Sequence, residues 1–228
     1  MNRILSRRLG EERPAFFDID TTFPELRRID ESYDAIRAEL LPVLPRLDEL
    51  PRYHEVDEGQ AEISAEGDRD WRVLFVHMHG AEASLPNRDL FPRTTAAIAR
   101  VPDTLQAFFS ILEPGKSVPA HNGPYFGYLR YHTAFVVPLG EPPRLRVNRD
   151  LYTWKEGESV LFDDSWEHEV INESDSVRVV LILDFMRPLP PHLALLNWAV
   201  RGLAGLSVSR EGHEEIGKAL GYQGNPAA

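Results

Sequence analysis

The feature that most constrains this chain is a rhythm. Between positions 105 and 185, short apolar and β-branched runs alternate with turn formers at close spacing. The runs cover 105–112, 128–137, 145–147, 151–154, 159–162, 169–172 and 178–185. Pro114-Gly115, Gly123-Pro124, Leu139-Gly140, Glu156-Gly157 and Glu173-Ser174-Asp175 separate them. An earlier run of the same kind starts at Trp71 (WRVLFVHMHG) and closes on Gly80. β-Branched and aromatic side chains suit a pleated surface, and Gly and Pro set the turns between strands. Many short strands have to hide their edges, so this rhythm predicts a mainly β fold with flanking helices, closed as a jelly roll.

The flanks read differently. From Phe23 to about residue 47, Leu26, Ile29, Tyr33, Ile36, Leu40 and Leu41 recur at helical spacing with acids and arginines on the other face, which predicts one helix ended by Pro42 and Pro45. Residues 48–69 are polar and without period, so a long loop with only short structure is expected there, followed by a further helix at 90–100. After Pro190-Pro191 helical patterning returns, and the tail GYQGNPAA is expected to fray. The organisation expected is one domain overall. A helical and loop lead-in over 1–100 packs on the barrel, 101–190 forms the catalytic core, and 191–228 adds a C-terminal helical segment.

Composition narrows the chemistry. The chain has 228 residues and no cysteine, which excludes disulfides, thiolate metal sites and cysteine nucleophiles, so any metal must sit on His, Asp or Glu. A formal net charge of −11 argues against a nucleic-acid partner and leaves room for a local basic pocket for a small anion. The N-terminal stretch lacks the apolar run of a signal peptide, and 193–206 is broken by Asn197, Arg201 and two glycines, too polar to span a bilayer. A soluble cytoplasmic protein is the expectation. The segment 193–206 carries Leu, Trp198 and Val and could lie on a membrane surface, but a helix packed on the barrel is the expected arrangement.

Eight histidines are present, and two stand out. His121 (VPAHNGPYFG) ends a strand and starts a loop; His168 (FDDSWEHEV) sits between two apolar strands. A pair of histidines at neighbouring strand ends, with a carboxylate two residues after the first, is a way to hold iron(II) with positions open for substrate and oxygen. Here that position is Gly123. Taken alone, the two histidines read more readily as one partly buried structural and one surface imidazole. His77 and His79 share a strand face but have no third ligand, so a substrate-contact or structural role is expected for them. Asp163, Glu167 and Glu169 read either as an acidic rim or as a solvated turn.

The sequence around these histidines goes further. Ser110-Ile111-Leu112-Glu113-Pro114-Gly115, His121-Asn122-Gly123-Pro124, Leu129-Arg130-Tyr131-His132, Trp154-Lys155-Glu156-Gly157, FDDSWEHEV from Phe162, and Arg178 ahead of Leu183-Asp184-Phe185 occur in this order. Over about a third of the chain this resembles the aspartyl/asparaginyl β-hydroxylase family, iron(II)- and 2-oxoglutarate-dependent dioxygenases on a double-stranded β-helix of cupin-like type. The lead-in Phe23-Pro24-Glu25-Leu26 is similar to that of bacterial lipid A hydroxylases in the same superfamily, a weaker likeness.

The resemblance implies that His121 and His168 bind Fe(II), that Arg178 holds the distal carboxylate of 2-oxoglutarate, and that Ser110, Arg130 and His132 line the same co-substrate pocket, with O2 as the oxidant. It further implies hydroxylation of an unactivated C–H in a small-molecule or peptide substrate, first of all the β-carbon of an Asp/Asn residue or amino-acid-like substrate. The alternatives are the acyl chain of lipid A or an aminolipid, or a non-catalytic cupin-like binding module. Gly123 sides with the peptide branch, where two histidines suffice and water takes the third protein position. Asp164 could steady such a water from the second layer; a turn-stabilising Asp is its other reading. Arg178 could instead be a strand-end arginine with its head in water. Arg130 and His132, two apart on one strand, must face the same side.

Overall fold

A computed structural model describes residues 1–79 and 86–207; Gly80, His213 and the C-terminal tail lie outside the described residues. Ten strands form two antiparallel sheets. They are β1 (Phe16–Phe17), β2 (Trp71–Met78), β3 (Thr104–Leu112), β4 (Val118–Asn122), β5 (Tyr128–Val136), β6 (Arg144–Val147), β7 (Asp150–Thr153), β8 (Ser159–Phe162), β9 (Glu167–Ile171) and β10 (Arg178–Met186). The larger sheet runs β1-β8-β5-β10-β3-β2 and the smaller β4-β9-β6-β7. The two face each other as a jelly roll, the double-stranded β-helix expected from the strand rhythm. Helices α1 (Asn2–Leu9), α2 (Ile19–Thr22), α3 (Arg27–Asp30), α4 (Tyr33–Leu40), α5 (Tyr53–Val56), α6 (Ala61–Ser64), α7 (Pro92–Ile98) and α8 (Pro191–Ser207) flank them.

The central strand β10 explains its own composition. RVVLILDFM is buried from Arg178 through Phe185 because both faces of the large sheet are covered. Val179, Leu181, Leu183 and Phe185 join a core with Leu26, Ile29, Ile36 and Leu40 of the lead-in and with Ala97 and Ile98 of α7. Val180 and Ile182 face the other way, into a second core with Val118, Leu145, Val147 and Val170 of the small sheet. The two-residue period of a strand therefore places Arg178 and Asp184 on the inter-sheet face with Val180 and Ile182. The same parity puts Arg130 and His132 of β5, and Gln106 and Ser110 of β3, on that face.

The lead-in differs from the sequence expectation in two ways. The helix expected from Phe23 is a 3-10 turn (Pro24–Leu26) running into α3, with α4 following after Ser32. The Ser32 hydroxyl donates to the Arg28 carbonyl at 2.8 Å, a local bond that competes with continuing the helix. The apolar period nonetheless held: Leu26, Ile29, Ile36 and Leu40 are buried, while Leu41 is exposed. In addition, the lead-in supplies strands to the large sheet: β1 pairs with β8 and β2 with β3, so the sandwich draws on residues well before 101. The stretch 48–69 carries only the short helices α5 and α6 and short 3-10 turns.

Candidate active site

The two histidines meet through strand pairing. β4 and β9 are neighbours, and His121 stands directly opposite His168 in their register, with ring centroids 4.2 Å apart. Each imidazole places Nδ1 against a backbone carbonyl two residues earlier, Pro119 O at 2.8 Å and Trp166 O at 3.0 Å. Such a bond fixes the tautomer with the proton on Nδ1 and leaves the Nε2 lone pair for a metal. Burial pulls both imidazoles below their usual range, His168 to about 3 with His121 adding to the effect, so both are neutral ligands at ordinary pH. The donor set thus fits a divalent transition metal, with two protein ligands: no cluster of three His, Cys, Asp or Glu occurs among the described residues.

Gly123 accounts for the missing third ligand in physical terms. A Cβ built there would lie 2.6 Å from the carboxylate of Asp164, whose backbone carbonyl accepts from the Gly123 amide at 2.7 Å. The carboxylate of Asp164 therefore occupies the space a side chain at 123 would fill. Tyr128 donates to Asp164 Oδ2 at 2.7 Å and Arg130 approaches it at 3.4 Å, while Oδ1 is buried without a partner. Burial raises this carboxyl to about 7, against the pull of Arg130.

Arg130 and Arg178 both lie in the inter-sheet space with different company. Arg130 makes a bidentate pair with Asp184, 2.7 and 2.8 Å, directly across the β5–β10 register, and Gln106 completes the group from β3 at 2.7 Å. Arg178 is 1% exposed. Its Nη1 donates weakly to the Ser110 carbonyl and hydroxyl, 3.3 and 3.4 Å, its guanidinium lies 4.8 Å from the Trp154 ring, and its Nε has no partner. No described carboxylate pairs with it, and burial alone pulls it down to about 9. A buried guanidinium without a counter-charge is costly, and a carboxylate ligand would relieve that cost with bidentate geometry. Beside it, Trp71 donates from Nε1 to Ser110 Oγ at 2.9 Å. His132 stacks on Trp154 and stands edge-on to Phe162, both ring nitrogens buried without partners and its basicity driven well down by burial. These orphaned donors fit a buried dicarboxylate.

A cavity of about 430 Å³ opens beside His121. His121, Gly123, Pro124, Tyr128, Arg130, Asp164 and Asp184 line one side, and Tyr53, Asp57, Gln60, Glu62 and Trp71 the other. Of the residues the family resemblance implicated, His121, Asp164 and Arg130 line this cavity, while His168, Ser110, His132 and Arg178 are buried in the sandwich outside its lining. Four others escaped sequence reasoning. Tyr128 and Trp71 sit in runs where an aromatic residue is unremarkable. Asp184 carried a signal, since an acid inside a nine-residue apolar strand has to be paired, whereas Gln106 carried none. Asp163 is no acidic rim; it is fully buried and bridges Arg13 and Arg187, at 2.9 and 2.7 Å. Glu167 and Glu169 pair with Arg146. His77 is half-buried in β2 and His79 follows it at the surface.

The aspartyl/asparaginyl β-hydroxylase family model matches residues 30–188. An ornithine lipid ester-linked acyl 2-hydroxylase of Rhizobium tropici is 41% identical over 192 residues, 84% of this chain and 67% of that protein. The aspartyl/asparaginyl β-hydroxylase of Homo sapiens is 30% identical over 175 residues, 74% of this chain but only 22% of the human protein. Among solved structures, a Pseudomonas putida prolyl-4-hydroxylase aligns over 69% of this chain and 88% of its own, with 16% identity and a TM-score of 0.43. The family match spans the histidine pair and both buried arginines, and the chain belongs to the aspartyl/asparaginyl β-hydroxylase family.

Proposed function

We propose that this protein is an Fe(II)- and 2-oxoglutarate-dependent hydroxylase. The observation that carries the reading is Arg178: a fully buried guanidinium with no described acidic partner, in the same interior as two neutral histidines whose Nδ1 atoms are already engaged. His121 and His168 would hold the metal through Nε2. Arg178 and Ser110 would grip the distal carboxylate of the co-substrate, Trp71 keeping the Ser110 hydroxyl oriented, and His132 would offer a ring nitrogen to the same molecule. When bound, iron and 2-oxoglutarate supply the oxidising chemistry: one O2 and one 2-oxoglutarate yield CO2, succinate and a substrate C–H converted to C–OH. The chain's own work is to orient the reactants and exclude water. Asp164 Oδ1, buried beside Gly123 without a partner, would accept from a water at the metal site, with Tyr128 and Arg130 fixing its carboxylate.

For the substrate, an amine-bearing lipid acyl chain is the better-supported reading. The rhizobial relative at 41% identity acts on an ornithine lipid, and the charge at the cavity agrees. The single arginine among the described lining residues is neutralised by Asp184, while Asp57 and Glu62 stand at the rim. A substrate carboxylate would find its cation taken; an ammonium group would find acids. The β-carbon of an Asp/Asn residue is the second reading, favoured by Gly123 and by the human relative.

Anaerobic titration with Fe(II) and then 2-oxoglutarate tests the cofactors. A visible charge-transfer band is expected in wild type, absent in His168→Ala and weakened in Arg178→Ala; no band from folded wild-type protein would end the reading. Mass spectrometry of an aminolipid in mixed micelles and of Asp/Asn peptides, each with Fe(II) and 2-oxoglutarate, then separates the substrates by which gains one oxygen.

A further inference from the structure

The C-terminal helix α8 is turned inside out. Its inward positions are Leu193 and Asn197, and Asn197 is tied down by bonds to the Gly127 carbonyl at 2.7 Å and from the Tyr125 hydroxyl at 2.5 Å. Its outward positions are apolar: Leu195 is 69% exposed, Leu196 41% and Trp198 63%. No Asp, Glu, Lys or Arg occurs from Pro191 to Val200. A surface helix of a water-soluble domain shows the opposite arrangement. No described helix is long and apolar enough to cross a membrane, so this face meets its partner from the side.

The helix at the other end of the chain meets the same loop. Asn2 of α1 donates to the Pro124 carbonyl at 2.8 Å and accepts from the Phe126 amide at 3.3 Å. Leu5 is buried beneath it, while Ile4 is 49% exposed and Arg3, Arg7 and Arg8 all stand in solvent. The helix holds three arginines and no acid in a chain of net charge −11. Both helices thus clamp residues 124–127, and Gly123 and Pro124 at the start of that loop line the cavity beside His121.

We infer that α1 and α8 together dock the protein on an anionic lipid bilayer, with Trp198, Leu195, Leu196 and Ile4 entering the headgroup boundary and Arg3, Arg7 and Arg8 pairing with lipid phosphates. Charge complementarity chooses this occupant over a second copy of the chain. In a two-fold contact the patch meets itself, and three exposed arginines would face their equivalents. The inference deepens the lipid reading and rests on it for its purpose, since docking here brings the cavity to the surface where acyl chains are.

The test uses the full chain with vesicles of phosphatidylcholine alone or mixed with phosphatidylglycerol. Wild-type protein is expected to co-sediment with the mixed vesicles and to do so far less with phosphatidylcholine alone. Leu195→Ser/Trp198→Ser is expected to abolish co-sedimentation, and Arg3→Glu/Arg7→Glu/Arg8→Glu to weaken it by roughly a hundredfold, while the Fe(II)/2-oxoglutarate band stays as in wild type and certifies the fold. Absence of vesicle binding by wild type, binding indifferent to both variants, or a dimer in light scattering that the α8 variant dissolves would overturn the inference. Vesicle binding by a protein that hydroxylates no lipid would leave the docking in place and sink the lipid reading instead.

Discussion

Two arginines share the interior of this sandwich, and their surroundings could hardly differ more. Arg130 is enclosed by protein anions: Asp184 takes it bidentately, Asp164 stands at 3.4 Å, and Gln106 braces the pair. Arg178, near the other end of β10 on the same face, has a serine, a carbonyl and an indole ring. Burial costs both charges heavily, yet only one is compensated from within the chain. The compensated arginine shapes the cavity wall and steadies Asp164. The uncompensated one has no described counter-charge, which the proposed co-substrate carboxylate would supply.

The sharpest way to break the comparison is to give Arg130 the condition of Arg178. Asp184→Ala strips the bidentate partner from a buried guanidinium and should cost about 3–5 kcal/mol in urea unfolding; a loss under about 1 kcal/mol would mean that Arg130 reaches water or leans on Asp164 alone. The reverse manipulation is Arg178→Met, which removes an unpaired buried charge and keeps its volume. The ligand-free variant should be as stable as wild type or more so. It should also lose the stabilisation that 2-oxoglutarate with a redox-inert metal confers on wild type, about 2.7 kcal/mol at a hundred times the dissociation constant. Equal stabilisation of both proteins would remove Arg178 from the co-substrate site.

Gly123→Ala probes the side of Arg130 that faces Asp164. The added methyl meets the Asp164 carboxylate, which Tyr128 holds in place, and should cost about 1–3 kcal/mol. Adding Asp164→Gly to it should restore most of that loss while impairing turnover; no cost in the single variant would mean that Asp164 moves freely. The gentlest probe is pH. His132 is pushed down by burial and then by both arginines, and His121 and His168 are likewise lowered. Folded imidazoles below the unfolded value of 6.5 stay neutral while the unfolded chain takes up protons. Their contribution is therefore complete above about pH 6.5 and is lost as pH falls toward the folded values. Metal-free protein should show urea midpoints declining below pH 6.5, and His132→Gln should flatten part of that decline.

Much of this was legible from residues alone. The turn-punctuated runs located seven of the ten strands to within two residues at either end, because local propensity and burial agree there. The strand at Trp71 was legible too, whereas β4 was seen only at its end and β1, two residues long, left no signal at all. The order of motifs around His121, His168 and Arg178 identified the family and the residues that line the interior. The lead-in was harder: its apolar period was right, but the segment breaks at Glu31-Ser32 into a 3-10 turn with α3 and then α4.

Sequence by itself determined the strand rhythm, the absence of thiol chemistry, the histidine pair and the family, because each depends on residue type and spacing along the chain. Tertiary structure alone decided which charges are satisfied. That Asp184 belongs to Arg130, that Arg178 has no such partner, that Asp164 fills the space above Gly123, and that α8 shows its leucines and tryptophan to the outside are facts about neighbours across strands and loops. Pairing register and burial set them, and a charge takes its meaning from whatever stands opposite it.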